Sequence, residues 1–410
     1  MQNRAGAPAH ALSTPELVAM VAALSALNAL AIDVMLPALP DIGRSFALVN
    51  DNDRQLVIVC YVALFGVSQL IYGPLADAYG RRSVLIYALG LYTLGSVLCV
   101  IAPSFGLFLA ARALQGVGAA ATRVIATAVV RDLTEGRRMA QVMSMAMTLF
   151  MVVPIMAPGL GQLILFIAPW RWIFGALLIY ALIVLVWTLT RLPETLKAEH
   201  RRAFSPRAIV SAYASVLRER QTVGYMIASV FITTCLFGYV TSSEQLYVDV
   251  FGLGKLFPVA FASVAIAISA GTFLNARLVM VHGMRRLSHT MAVAFTTVAA
   301  LIALLAAIGA ATFWPFIVLL ALMFSMFGLI ASNFSALAME PVGAVAGSAS
   351  ALFGAVTASG GALLGGLVGR AFDGTPLPFA LGLFLCGAAT LITIAVTERG
   401  RLFDTARRAP

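Results

Sequence analysis

The sequence predicts an all-α membrane protein that crosses the bilayer twelve times, and three observations lead there. Over 410 residues the chain is 61% hydrophobic and only 11% charged, more apolar surface than a water-soluble fold of this size can bury. The apolar residues form uninterrupted runs of about twenty, the length a helix rising 1.5 Å per residue needs to cross a core of about 30 Å. The runs are continuous instead of alternating, which excludes a transmembrane barrel and leaves helices, since hydrocarbon offers no partner for a free backbone N–H or C=O.

The first half holds expected spans at about residues 15–38, 55–76, 83–102, 105–130, 139–165 and 170–191. The second holds them at about 221–243, 257–280, 287–310, 313–338, 345–369 and 376–397. Thr14 followed by Pro15 supplies a cap and a first helical position. The amino terminus has no charged start, short apolar stretch and small-residue cleavage site, so the first run is expected to be a retained span. Connections are short except for a polar, basic stretch with Pro193 and Pro206. It divides the chain into an amino-terminal six-helix bundle (1–192), a cytoplasmic linker (193–220) and a carboxy-terminal six-helix bundle (221–410).

The net charge of +10 does not form one basic face of the kind that binds nucleic acid. The Lys and Arg residues gather in short clusters between apolar runs, as topology signals do. Arg4, Arg81, Arg82, Arg131, Arg137, Arg138, Arg191, Lys197, Arg201, Arg202, Arg207, Arg218, Arg220, Arg277, Arg285, Arg286, Arg399, Arg401, Arg407 and Arg408 fall on one side. Only Arg44, Arg54, Arg171, Lys255 and Arg370 fall on the other. This asymmetry predicts an even number of spans with both termini in the cytoplasm. Cys60, Cys99, Cys235 and Cys386 sit inside apolar runs without CxxC spacing, so neither a disulfide framework nor a metal site is expected. No phosphate-binding loop, nucleophile triad or metal-ligand cluster is present, so the chain is read as no enzyme and as needing no cofactor.

The halves repeat weakly, as transporter halves do: GPLADAYGRR (73–82) follows the second span, and NARLVMVHGMRR (275–286) follows the eighth. Gly73, Leu75, Asp77, Gly80, Arg81 and Arg82 resemble the loop motif of the major facilitator superfamily, with Ala78 in place of its usual basic residue. Arg112, Gln115, Gly116, Gly118, Ala119 and Ala120 reproduce that superfamily's RxxQGxGAA pattern. Pro158 and Gly161 resemble its antiporter motif, although Val153, Ala157 and Gln162 stand where glycine is preferred. IDVMLPALP (32–40), VVRDL (129–133), PWRWIF (169–174) and LPETL (192–196) are similar to the Bcr/CflA group of drug:proton antiporters.

The resemblance covers nearly the whole chain. It implies two halves rocking around a central cavity, with export of small amphipathic drugs driven by proton entry. It implies a monomer in the bacterial inner membrane whose partners are a small-molecule substrate, protons and the lipid bilayer. Members of that group also export sugars and purines, so a metabolite exporter or facilitator stands as the alternative function.

Candidate residues follow from charge placed in apolar surroundings. Asp33 is a carboxylate deep in the first span, costing roughly 2.5–3.5 kcal/mol on insertion scales. Burial favours its neutral form and a nearby cation its charged form, the tension a proton carrier needs. The competing reading makes it a helix cap at the outer mouth. Arg112 cannot discharge itself and must find an acceptor, either Asp33 or the carbonyls of a broken helix. Arg123, eleven residues on, shares roughly its face. Two inward arginines make a cavity hospitable to an acidic group or a polar drug, although relatives place the second arginine one turn later, where this chain has Thr127.

Asn28, Tyr61, Met143, Met147 and Tyr239 are the expected remaining cavity residues, each also compatible with ordinary helix packing. Gly73, Asp77, Gly80, Arg81 and Arg82 are expected to form a cytoplasmic gate, with Asp77 accepting from a neighbouring helix start or pairing with Arg131. Glu244 and Asp249 are read as exposed carboxylates in the loop after the seventh span, with titration during transport as the alternative. The glycines of the eleventh span, Gly347 to Gly369, predict a close helix contact.

Overall fold

A computed structural model describes residues 12–197, 199, 201 and 203–403. Arg4, Arg202, Arg407 and Arg408 of the sequence's basic group lie outside the described residues. Among the described residues there are fourteen α-helices and no strand. They are α1 (Thr14–Asp33), α2 (Leu39–Ser45), α3 (Leu56–Tyr79), α4 (Arg81–Ile101), α5 (Phe105–Leu133), α6 (Gly136–Ile167) and α7 (Arg171–Arg191), then α8 (Pro206–Arg218), α9 (Arg220–Glu244), α10 (Phe257–His282), α11 (Met284–Ala307), α12 (Phe313–Met339), α13 (Ala346–Arg370) and α14 (Leu377–Thr397).

Among the described residues, eleven segments are long and apolar enough to cross a membrane, and one of them, Phe313–Arg370, is 58 residues long. It breaks at a tight 3-10 turn, Glu340–Val345, where Val342 leaves helical geometry. Pro341 opens that turn, and two crossings of ordinary length, α12 and α13, result. The chain is therefore a multi-pass, all-α membrane protein, with twelve spans among the described residues: α1, α3 to α7 and α9 to α14.

Helix ends follow local chemistry. Ser13, not Thr14, caps α1, its hydroxyl accepting from the Glu16 N–H at 3.3 Å while Pro15 occupies the first turn. Ser104 caps α5 in the same way. The two repeat motifs share a backbone device: Gly80 (φ +97°) and Gly283 (φ +73°) each end one span and begin the next in a conformation that side-chain-bearing residues avoid. Two elements differ from expectation. The linker holds the amphipathic helix α8, capped by Ser205 and opened by Pro206. The seventh span runs past Glu244 as a π-helical turn, Gln245–Val250, so residues read as loop are helical.

Within the first six spans α3 and α4 pack on α5, and α1 packs on α6. Within the last six, α9 packs on α13 and α14, α10 on α12, and α11 on α12 and α14. Two helix pairs join the sets, α3 with α13 and α6 with α10. At the α3–α13 seam the Ser359 hydroxyl donates to the Ala63 carbonyl at 2.8 Å. A Cβ on Gly66 would strike Ser359, which is why this seam can close only with glycine. The amphipathic α8 lies over the same seam: the Tyr213 hydroxyl donates to the Leu70 carbonyl of α3 at 2.7 Å, while Val216 packs with Met226, Val342 and Leu352.

Candidate functional site

Arg112 organises the middle of the first six spans. It is fully buried, and its guanidinium donates to the Val57 carbonyl of α3 at 3.2 Å and to the Ala31 carbonyl of α1 at 3.0 Å. A third donor meets Gln115 Oε1, one helical turn away, and Gln115 Nε2 passes the chain on to Ser96 Oγ at 2.8 Å. The RxxQ spacing thus puts an acceptor beside the cation on one helix face. The ring of Tyr61 lies 4.4 Å from the guanidinium carbon, a cation–π contact, and its hydroxyl donates to Asn28 Oδ1 at 3.0 Å. Gly116 admits the backbone of Tyr61, which its Cβ would otherwise strike.

Asp33 is the last residue of α1 and is 6% exposed. Among the described residues its carboxylate has no hydrogen bond and no ion pair. The expected Arg112–Asp33 contact is absent. Arg112 instead holds the Ala31 carbonyl, one of the last-turn acceptors of α1 with no partner inside its own helix. Behind Asp33 stands α6: Pro158 and Gly161 are buried, and Gly161 touches the Val34 carbonyl so closely that any Cβ would collide with it.

The other cavity candidates divide. Tyr61 and Tyr239 do not line an open space. Tyr61 is committed to Arg112, and Tyr239 is enclosed by Phe261 and Phe324 at ring distances of 5.3 and 5.1 Å, with the Tyr247 hydroxyl 3.4 Å from its own. Aromatic rings facing neighbouring helices find more contact there than in a wide cavity. Met143 is partly buried against the core, whereas Met147 is 50% exposed. Arg123 is exposed and has no side-chain hydrogen bond or ion pair among the described residues.

Charged clasps sit at both ends of the bundle. At the basic end Arg81 pairs with Asp77 at 2.6 Å and with Asp132 at 3.2 Å, while its N–H donates to Glu194 at 2.8 Å. Arg82 caps α7 by donating to the Leu189 carbonyl at 2.7 Å. The expected Asp77–Arg131 pair is not formed, because Arg81 is one turn from Asp77 on the same face and Arg131 points to solvent. Gly73 has open space around it, while Gly80 is filled by the Glu194 carboxylate. The second half repeats the arrangement: Arg285 pairs with Glu340 at 2.8 Å and Glu398 at 3.3 Å, and Glu398 accepts from Tyr225 at 2.7 Å. Asp132 and Glu194 lie in the stretches VVRDL and LPETL, yet only the fold brings them to Arg81.

At the opposite end the clasp crosses between the two sets of spans. Arg54 pairs with Glu244 at 3.0 Å and Asp249 at 3.1 Å, and Arg370 with Asp53 at 2.6 Å. Asn52 accepts from Gln245 at 2.6 Å and donates to the carbonyls of Arg370 and Phe372 at 3.0 and 2.8 Å. Glu244, read from sequence as an exposed loop acid, is fully buried, because the π-helical turn carries the span onward and turns Glu244 toward Arg54. Among the described residues, every ion pair between the first six and last six spans lies at this end, and none lies at the basic end.

Comparison with known proteins agrees with this architecture. Residues 21–365 match the family model described as Major Facilitator Superfamily. The chain is 32% identical over 357 residues to the uncharacterized MFS-type transporter YdgK of Bacillus subtilis, covering 86% of this chain and 87% of that one. It is 28% identical over 373 residues to a bicyclomycin resistance protein homolog of Haemophilus influenzae, covering 90% and 92%. A solved structure of the xylose transporter XylE from E. coli, in a partially occluded inward open conformation, has the same fold at a TM-score of 0.71 and 13% identity, covering 97% of this chain and 99% of that one.

Proposed function

The chain belongs to the Major Facilitator Superfamily, and from that premise we propose that it is a proton-coupled antiporter exporting small amphipathic compounds by alternating access. Residues 1–192 and 221–410 act as the two moving halves, joined by 193–220. The protein works as a monomer in a bacterial inner membrane with the basic end and both termini in the cytoplasm. Asp33 carries the proton, and Arg112 fixes the end of α1 that bears it. The cavity between the halves receives substrate from the basic end.

The observation that carries this reading is the pairing of a buried, unpartnered carboxylate with ion pairs that, among the described residues, cross the halves at one end only. An acid without a cation beside it gains and loses its proton with little structural rearrangement, and a bundle clasped at one end has a second state in which that clasp opens. Similarity to a bicyclomycin resistance protein homolog supports a drug as the substrate.

The test is transport in proteoliposomes, using bicyclomycin and a panel of phenicol antibiotics under an imposed pH gradient. Antiport requires uphill drug movement that stops when a protonophore collapses the gradient. Movement only down the drug gradient, indifferent to pH and unchanged in Asp33→Asn, makes the protein a facilitator instead. A reporter fused after Pro410 should be active in the cytoplasm; periplasmic activity overturns the proposed orientation.

A further inference from the structure

Charge is unequally matched inside the bundle. The acidic side chains near span ends have cations: Glu16 pairs with Arg191 at 2.7 Å, Asp132 with Arg81, Glu244 with Arg54. Within the spans, Arg112 is consumed by two carbonyls, Gln115 and the face of Tyr61. Arg123 has none of this, although it lies ten residues from the end of α5 at Leu133. Asp33 is not within ion-pair range of it.

Exposure gives the direction in which Arg123 points. Arg123, Thr127 and Arg131 are all exposed, and their spacing of four residues makes one stripe running from mid-helix to the basic end. Two arginines in such a stripe cannot face hydrocarbon, where each charge is expelled or must be paired. The stripe therefore faces water, in the space that opens toward the basic end, where no ion pair among the described residues joins the halves. A guanidinium does not discharge by losing its proton. Apolar walls around a narrow aqueous space concentrate its field.

Resting on the exporter reading, we infer that Arg123 selects substrates bearing an acidic group, so that the transported compounds are amphipathic organic anions. The planar fork of Arg123 receives a carboxylate, phosphate or sulfonate oxygen pair, Arg131 draws such groups in from the basic end, and the apolar part of the substrate lies against side chains such as Met147. Arg112 plays no part in this selection, because it is fully buried and held by two carbonyls and Gln115.

The experiment reads the local field and ligand occupancy directly. Thr127→Cys is introduced one turn from Arg123, with Cys60→Ser and Cys386→Ser removing the half-buried native thiols. The protein is held in nanodiscs of phosphatidylcholine, so that no anionic lipid headgroup competes. Labelling by an anionic and a cationic methanethiosulfonate is compared with labelling of a free thiol, with and without 1-naphthylacetate or its neutral amide. The expected result is an anionic reagent favoured by about fivefold or more, the size of a partly screened ion pair. Protection should come from the acid at lower concentration than from the amide. Arg123→Gln should abolish both preferences, and Arg123→Lys should keep the first. Repeating the labelling in discs containing phosphatidylglycerol identifies the source of the anion: protection by the lipid alone, with none by the acid, overturns the substrate assignment.

No labelling by either reagent, equal labelling by both, or preferences that survive Arg123→Gln overturn the inference. Transport of naphthylacetate under a pH gradient is measured in parallel. If the acid protects the introduced thiol but is never moved, the exporter reading fails while the anion site stands; if a neutral drug is exported and the acid never protects, the reverse holds.

Discussion

The guanidinium of Arg112 grips the carbonyl of Ala31 at 3.0 Å, two residues before Asp33 in the same helical turn. The cation and the carboxylate are thus linked through backbone and not through a salt bridge. Arg112 sets where Asp33 stands without neutralising it.

Substituting Arg112 accordingly tests an anchor. Arg112→Ala removes three hydrogen-bonded contacts and two ring contacts at once, and leaves the last-turn Ala31 carbonyl of α1 without a donor. A loss of about 3–5 kcal/mol, the usual result of breaking a buried charged network, should appear as a marked fall in thermal unfolding temperature in detergent, together with loss of transport. Arg112→Lys offers a single point donor and should recover only part of both. A variant with unchanged melting and transport would remove the anchor from the mechanism.

Asp33→Asn should behave differently. No partner is stranded by the change, so melting should stay close to that of the native protein while uphill, gradient-driven export disappears. Exchange of drug for drug at equal pH on both sides should survive, since it does not require a proton to be carried. Uphill export at the native rate would exclude Asp33 as the carrier.

Gly161 and Gly159 give an internal comparison on one helix. A Cβ at 161 meets the Val34 carbonyl, a backbone atom that cannot step aside, whereas a Cβ at 159 meets nothing within 4 Å. Gly161→Ala should destabilise by about 1–3 kcal/mol, as overpacking does, and impair transport. Gly159→Ala should do neither. Equal effects at the two positions, measured by thermal unfolding and transport, would show that the close approach of α1 and α6 is not required.

The clasp at the end opposite the basic clusters is a third point of access. Asn52→Cys with Gln245→Cys replaces a side-chain hydrogen bond of 2.6 Å by two thiols, one in each half. A short bifunctional thiol cross-linker should join them, stop transport, and release it on reduction. Loosening the same end with Arg54→Ala should raise the labelling, from that side, of a thiol placed by Gln55→Cys at a position buried in the native clasp. Transport that continues in the cross-linked protein would mean this end never opens.

Much of the fold is legible from sequence because hydropathy and helix length are one-dimensional quantities. All twelve spans are present near their expected ends, and Gly80 and Gly283 mark chain reversals that need a positive φ. The linker helix α8 is not legible in the same way, since its apolar residues are interleaved with Arg207, Ser211, Ser215 and Arg218 and become a face only when wound at 3.6 residues per turn. Glu244 escapes for a related reason: one π-helical turn after an apparent span end converts an outer loop into buried structure. The partners of Arg81, Arg112 and Arg54 come from segments far apart in the chain. Residue type announces that a buried arginine needs acceptors; only packing decides that those of Arg112 are Ala31, Val57 and Gln115.

The position of α8 has a mechanical consequence. By holding the Leu70 carbonyl through Tyr213 and the ends of α9, α12 and α13 through Val216, it straps the two halves together along the side where α3 and α13 meet. A door strapped along one edge swings about that edge. The halves would then separate by rotation about the α3–α13 seam, with the greatest travel at the distant α6–α10 contact. The strap's stiffness would govern how fast the door swings while leaving untouched what fits through it.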